Sequence, residues 1–129
     1  MKYLTHYIEE AHEALMEECG AFYAFNNQQF NAKKKDGVKY MSLGKGTIVP
    51  TDKAKELVDG LAKIMEQGIS QDKKDHTPRQ IIVRDLNNYE SFYTGDIEDT
   101  VNCLKGYGEG FTRDDIRKVF KEEIRKEEI

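Results

Sequence analysis

Between Thr51 and Gly68 the apolar residues Ala54, Leu57, Val58, Leu61, Ile64 and Met65 recur three and four positions apart. That spacing places all six on one face of an α-helix and leaves charged residues on the other, so the stripe must dock on an apolar surface. A small sheet is the expected partner. Pro50 ends whatever precedes the helix, Thr51 suits its cap and Gly68 its stop. A second amphipathic helix is predicted from Lys2 to Cys19, with Leu4, Tyr7, Ile8, Ala11, Ala14 and Leu15 inward and Gly20 as its stop.

The segments between read as strands. Ala21 to Phe25 is short, aromatic and bounded by Gly20 and Asn26-Asn27. Val38 to Val49 reads as β-rich, with a turn or bulge at Gly44-Lys45-Gly46. Gln80 to Arg84 reads as a buried strand, and Asn87-Asn88 as the turn of a hairpin returning through Glu90 to Tyr93. Asp96 then caps a short helix ending near Gly106. In the last helix Thr112 and Asp115 form a capping box, and Phe111 and Ile116 a hydrophobic staple. The fold class is therefore α+β, a single domain over 1–129 in the order α-β-β-β-α-β-β-α-α: a small antiparallel sheet packed by amphipathic helices. Residues 125–129 are expected to fray.

Of the 129 residues, 34% are charged with both signs interspersed, and the net charge is −4. That balance argues against broad nucleic-acid binding, which needs a basic face. Lys33-Lys34-Lys35, followed by Asp36-Gly37, reads as a solvated turn. No basic-then-apolar leader precedes the first helix and no stretch is apolar enough for a membrane span, so the expected location is cytoplasmic, with Cys19 and Cys103 reduced.

No complete catalytic or metal-binding constellation is visible. Glu9 and His12 have the spacing of a helical metal motif, but there is one copy where two must converge. Gly44-Lys45-Gly46-Thr47 lacks the spacing and the following helix of a phosphate loop. Neither cysteine sits in a nucleophile turn. Binding is thus expected rather than catalysis, with no metal and no cofactor. The groups suited to it are aromatics interleaved with amides and arginines: Phe22, Tyr23, Asn26 and Asn27, then Arg84, Asn87, Asn88, Phe92 and Tyr93, with Arg113 and Arg117. A nucleotide base stacks on aromatic faces, amides read its edge, and Arg84, Arg113 or Arg117 meets pyrophosphate. On this reading Arg84 can be replaced by Ala without loss of the fold.

Two stretches carry a resemblance. Ala21 to Phe30 (AFYAFNNQQF), and Asn88 to Asp99 (NYESFYTGDIED) continuing to Gly108, are similar to a family of small, mostly uncharacterised proteins of phages and mobile elements. In that family the position of Ser91 is often Cys. The chain also resembles the phage anti-Thoeris sponges, which implies an anti-defence protein that binds and sequesters a cyclic ADP-ribose isomer or cyclic oligonucleotide without cleaving it, in pockets of a homo-oligomer. The alternative expectation is a protein-binding inhibitor or adaptor acting on a host defence or nucleic-acid enzyme through its acidic surface.

Overall fold

The computed structural model of the chain describes residues 2–127. Its elements follow the order α1 (Leu4–Glu18), β1 (Phe22–Tyr23), α2 (Asn27–Lys33), β2 (Tyr40–Gly44), β3 (Thr47–Pro50), α3 (Ala54–Asp75), α4 (Pro78–Asn88), α5 (Ser91–Thr94), α6 (Glu98–Cys103) and α7 (Arg113–Glu127), with single 3-10 turns at Thr51–Lys53 and Lys105–Tyr107. The class is α+β, with one three-stranded antiparallel sheet in the order β1-β3-β2. The chain divides into two compact units: Thr5–Gln67, and Gly68 onward together with the first residues up to Leu4.

In the Thr5–Gln67 unit the sheet register fixes which side chains share a face. Phe22, Ile48, Pro50, Tyr40 and Ser42 fall on one side, and Tyr23, Thr47, Val49 and Met41 on the other. The first side is closed by Phe30 of α2, whose ring meets Tyr40 edge-on at 5.7 Å and Phe22 at 6.2 Å. On the second, Val49 is buried with Met16, Cys19 and Leu57, packed by Leu15, Ala21, Ala54 and Leu61. The docking of the α3 stripe on the sheet is thereby realised through Leu57, although Val58 and Met65 of the same stripe stay exposed. Helices α1 and α3 approach so closely that a Cβ on Gly60 would sit 2.5 Å from the Leu15 side chain.

The β2–β3 turn takes the expected glycine-dependent form, with Gly44, Lys45 and Gly46 all at positive φ and a bulge between Ser42 and Gly44. Asn26, a candidate for reading a base edge, is exposed and caps α2: its side chain accepts from the Gln29 N–H at 2.8 Å. Helix α3 does not stop at Gly68 but runs on to Asp75, with Gly68 buried inside it.

The other unit corrects the sequence reading most. Residues 80–93 form no hairpin. Thr77 caps α4 by accepting from the Gln80 N–H at 3.2 Å, while Gln80 Oε1 accepts from the Thr77 N–H at 2.9 Å and Pro78 occupies the first turn. Ile81, Ile82, Asp85 and Leu86 then turn inward at helical spacing. Asn87-Asn88 end that helix, and Glu90, at φ 56°, starts the short α5. Ile81, Ile82 and Leu86 join Ile97, Val101, Leu104, Tyr107, Phe111, Ile116 and Val119 in one core. The capping box of α7 is present, with Thr112 Oγ1 donating to Asp115 Oδ2 at 2.7 Å and the Asp115 N–H donating to Thr112 Oγ1 at 3.2 Å. Residues 125–127 of the expected frayed tail belong to α7, and the rest, 128–129, lies outside the described residues.

Candidate functional site

The most polar buried region is built where α3 ends and α4 begins. Asp72, fully buried, accepts from Tyr107 Oη at 2.6 Å and from Arg84 Nη1 at 2.8 Å, and lies 2.9 Å from His76 Nδ1 one turn further along. Arg84 also donates from Nε to Asp85 Oδ1 at 2.9 Å and from Nη1 to the Lys2 carbonyl at 3.0 Å. The Cys103 thiol donates to Asp85 Oδ2 at 3.7 Å.

One guanidinium thus stands between two buried carboxylates, which sets the protonation of the whole group. Burial pushes the Asp72 carboxyl up, but the hydrogen bonds from Arg84, Tyr107 and His76 outweigh it and hold it below the usual range. Burial works against the Arg84 charge, yet Asp72 and Asp85 raise its already high pKa further. Burial and then Asp72 keep the Tyr107 phenol protonated well past its ordinary value. Desolvation of the sulfur and the Asp85 charge push the Cys103 thiol up, away from the thiolate a nucleophile needs, although the residue as a whole is exposed.

Against the outer side of α4 lies a cavity of about 440 Å³ lined by Tyr3, Thr77, Arg79, Gln80, Val83, Arg84 and Asn87. The Arg84 guanidinium sits 5.8 Å from the centre of the Tyr3 ring, and its Nη2 has no hydrogen-bond partner among the described residues. Arg79 is forked across α7, donating to Glu122 at 2.7 Å and to Glu123 at 2.6 Å. Both arginines of the cavity are therefore already matched by carboxylates. Beside them the cavity wall carries the Tyr3 ring, the Gln80 side-chain amide and the Asn87 amide. The cavity's size falls within the range of small-molecule sites.

The residues expected to bind divide between the two units. In the Thr5–Gln67 unit Phe22 is packed edge-on against Tyr40 at 5.4 Å, Tyr23 places its hydroxyl 3.3 Å from His12 Nε2, Asn26 is a cap and Asn27 is exposed in the first turn of α2. In the other unit Arg84 and Asn87 line the α4 cavity, and Asn87 also lines a smaller depression of about 320 Å³ with Glu90, Phe92 and Tyr93. Phe92 stacks on Phe120 at 5.5 Å, whereas Tyr93 is 93% exposed and Asn88 is exposed. Arg113 is forked onto Glu98, and Arg117 lines a third depression beside Glu98 and Phe120.

Arg84 needs a correction. It is 5% exposed and is the partner of two buried carboxylates, so Arg84→Ala would remove structure together with any binding. Asp72, Asp85 and Tyr107 were absent from the sequence-derived set. Thr77-Pro78-Arg79-Gln80 carried the one local signal that could have redirected it, a capping box with proline in the first turn. Among the described residues no three His, Cys, Asp or Glu side chains are grouped to hold a metal ion, and no helix is long and apolar enough to cross a membrane.

A family model described as a family of unknown function (DUF7659) matches residues 4–127, and the chain belongs to that family. No curated protein and no solved structure matches it.

Proposed function

We propose that this member of a family of unknown function is a non-catalytic binder of a nucleotide-class ligand, held in the cavity along α4. One observation carries the reading: a single concavity presents the Tyr3 ring, two side-chain amides, Gln80 and Asn87, and two arginines, Arg79 and Arg84. A purine-like ring would lie against Tyr3, with its edge read by Gln80 and Asn87. Because Arg84 is spent on Asp72 and Asp85, any phosphate falls to Arg79, whose side chain is 40% exposed and can exchange a carboxylate for it. The role that the resemblance to phage sponges implies, sequestration of a cyclic ADP-ribose isomer or cyclic oligonucleotide signal without cleavage, follows from such a site if affinity is high. Nanomolar binding corresponds to about −12 kcal/mol.

Native mass spectrometry with cyclic ADP-ribose isomers and cyclic di- and trinucleotides tests this. Intact ligand at one per chain is expected, weakened about tenfold by Asn87→Ala, the loss of one good polar contact. Glu122→Gln with Glu123→Gln should tighten an anionic ligand by releasing Arg79. A mass-shifted product would replace the binder with an enzyme, and silence across the panel would remove the nucleotide reading.

A further inference from the structure

Among the described residues, strand β2 pairs with another strand on one side only, with β3. The Thr51 N–H donates to the Lys39 carbonyl at 2.9 Å and Met41 pairs with Val49, so Lys39 and Met41 turn their backbone groups inward. By the alternation of an antiparallel ladder, Tyr40 and Ser42 point theirs outward, away from the sheet. Met41 and Leu43 beside them are large apolar residues left exposed. Such an edge is a template for another strand, and proteins that do not use one usually blunt it.

The segment that carries this edge has a charge opposite to that of the whole chain, while Glu17, Glu18 and Asp52 line a depression with Tyr40 and Lys35. Between Cys19 and Thr51 there are five lysines and one acidic residue, Asp36, whereas the chain as a whole carries −4. Lys39 and Lys45 flank β2 at its two ends, and Lys35 is tied to the strand by its N–H, which donates to Tyr40 Oη at 3.0 Å. Lys34, Lys35, Lys39 and Lys45 are all exposed. A second copy of this chain would bring the same lysines: antiparallel pairing centred on Ser42 sets Lys39 opposite Lys45.

From this edge and its charge we infer that β2 is a docking site for an extended acidic peptide segment of a partner protein, which adds as a fourth strand. Its backbone meets the outward groups of Tyr40 and Ser42, its apolar side chains pack on Met41 and Leu43, and its carboxylates meet Lys39 and Lys45. Only two residues of β2 offer outward groups, so the contact is short and transient rather than permanent. This surface is independent of the α4 cavity and stands or falls separately from it.

The test titrates the full chain with three labelled probes: a short extended peptide with Val or Ile at its centre and Asp or Glu at both ends, the same peptide with Lys for the acids, and a single-stranded oligonucleotide. The acidic peptide is expected to bind with slowed amide exchange at Tyr40 and Ser42. Ser42→Pro, which removes one outward donor, and Lys39→Glu with Lys45→Glu, which leaves the backbone untouched, should each weaken it about tenfold. Equal or tighter binding of the basic peptide or the oligonucleotide overturns the inference. So does acidic-peptide binding without protection of β2, and so does the absence of binding by all three.

Discussion

Asp72→Asn is the sharpest probe of how this protein is held together. The substitution keeps the shape of a fully buried side chain that receives hydrogen bonds from Arg84 and Tyr107 and sits beside His76, but removes its charge. Breaking a buried ion pair by neutralising one partner costs about 3–5 kcal/mol, because the other charge stays in the interior. Arg84 keeps Asp85 and the Lys2 carbonyl, which places the cost near the lower end, about 3 kcal/mol. With an unfolding entropy of roughly 2.1 cal/mol/K per residue, that lowers the Tm by about 11 °C. Tyr107→Phe deletes one hydrogen bond to a charged group and should cost about 1.5–3 kcal/mol. The pH dependence separates charge from packing. The folded Asp72 pKa is depressed, so its contribution is present above the unfolded value, near pH 4, and is lost as pH falls through the lower folded value. Melts followed by circular dichroism should therefore show wild type and Asp72→Asn converging in acid. A variant melting within about 3 °C of wild type at neutral pH, on the same scaling, would refute the reasoning, as would a gap unchanged in acid.

Thr77→Ala should remove one half of the α4 capping box and cost about 1 kcal/mol in urea unfolding, which a strand at 80–84 would not feel. Gly60→Ala places a methyl 2.5 Å from the Leu15 side chain and should destabilise by about 1–3 kcal/mol, with Leu15→Ala in the same chain recovering part of the loss. Alkylation of Cys103 should be slower at neutral pH than that of a peptide thiol and speed up in Asp85→Asn, since desolvation and that carboxylate hold the thiol protonated; unchanged rates would place the thiol away from Asp85.

Local chemistry and periodicity specified what could be read residue by residue. The helices α1 and α3, the Gly44-Lys45-Gly46 turn and the Thr112–Asp115 box each depend on neighbours within one or two helical turns, and all four form, although Ala11 and Ala14 of the α1 face and Val58 and Met65 of the α3 stripe stay exposed. Two misreadings came from signals that are locally ambiguous. Ile81-Ile82-Val83 is a β-branched run that a strand or a buried helix can equally use, and the Thr77–Gln80 capping box together with the core formed with Ile97, Leu104 and Ile116 selects the helix. Gly68 looks like a stop, yet it lies buried inside α3, which continues through it despite glycine's poor helix propensity.

The site was legible only as composition. Arg84 and Asn87 stood out as types, but whether an arginine faces a ligand or a carboxylate depends on groups far along the chain. Asp72 lies 12 residues from Arg84 and 35 from Tyr107, and no spacing rule links them. The sequence by itself determined the amphipathic helices, the glycine turn and the terminal cap, because those energies are local. The tertiary structure alone decided that Arg84 is a buried structural cation, that the α4 cavity gathers Tyr3, Gln80 and Asn87, and that β2 is left at an edge, because burial and partnership depend on what the rest of the chain brings alongside.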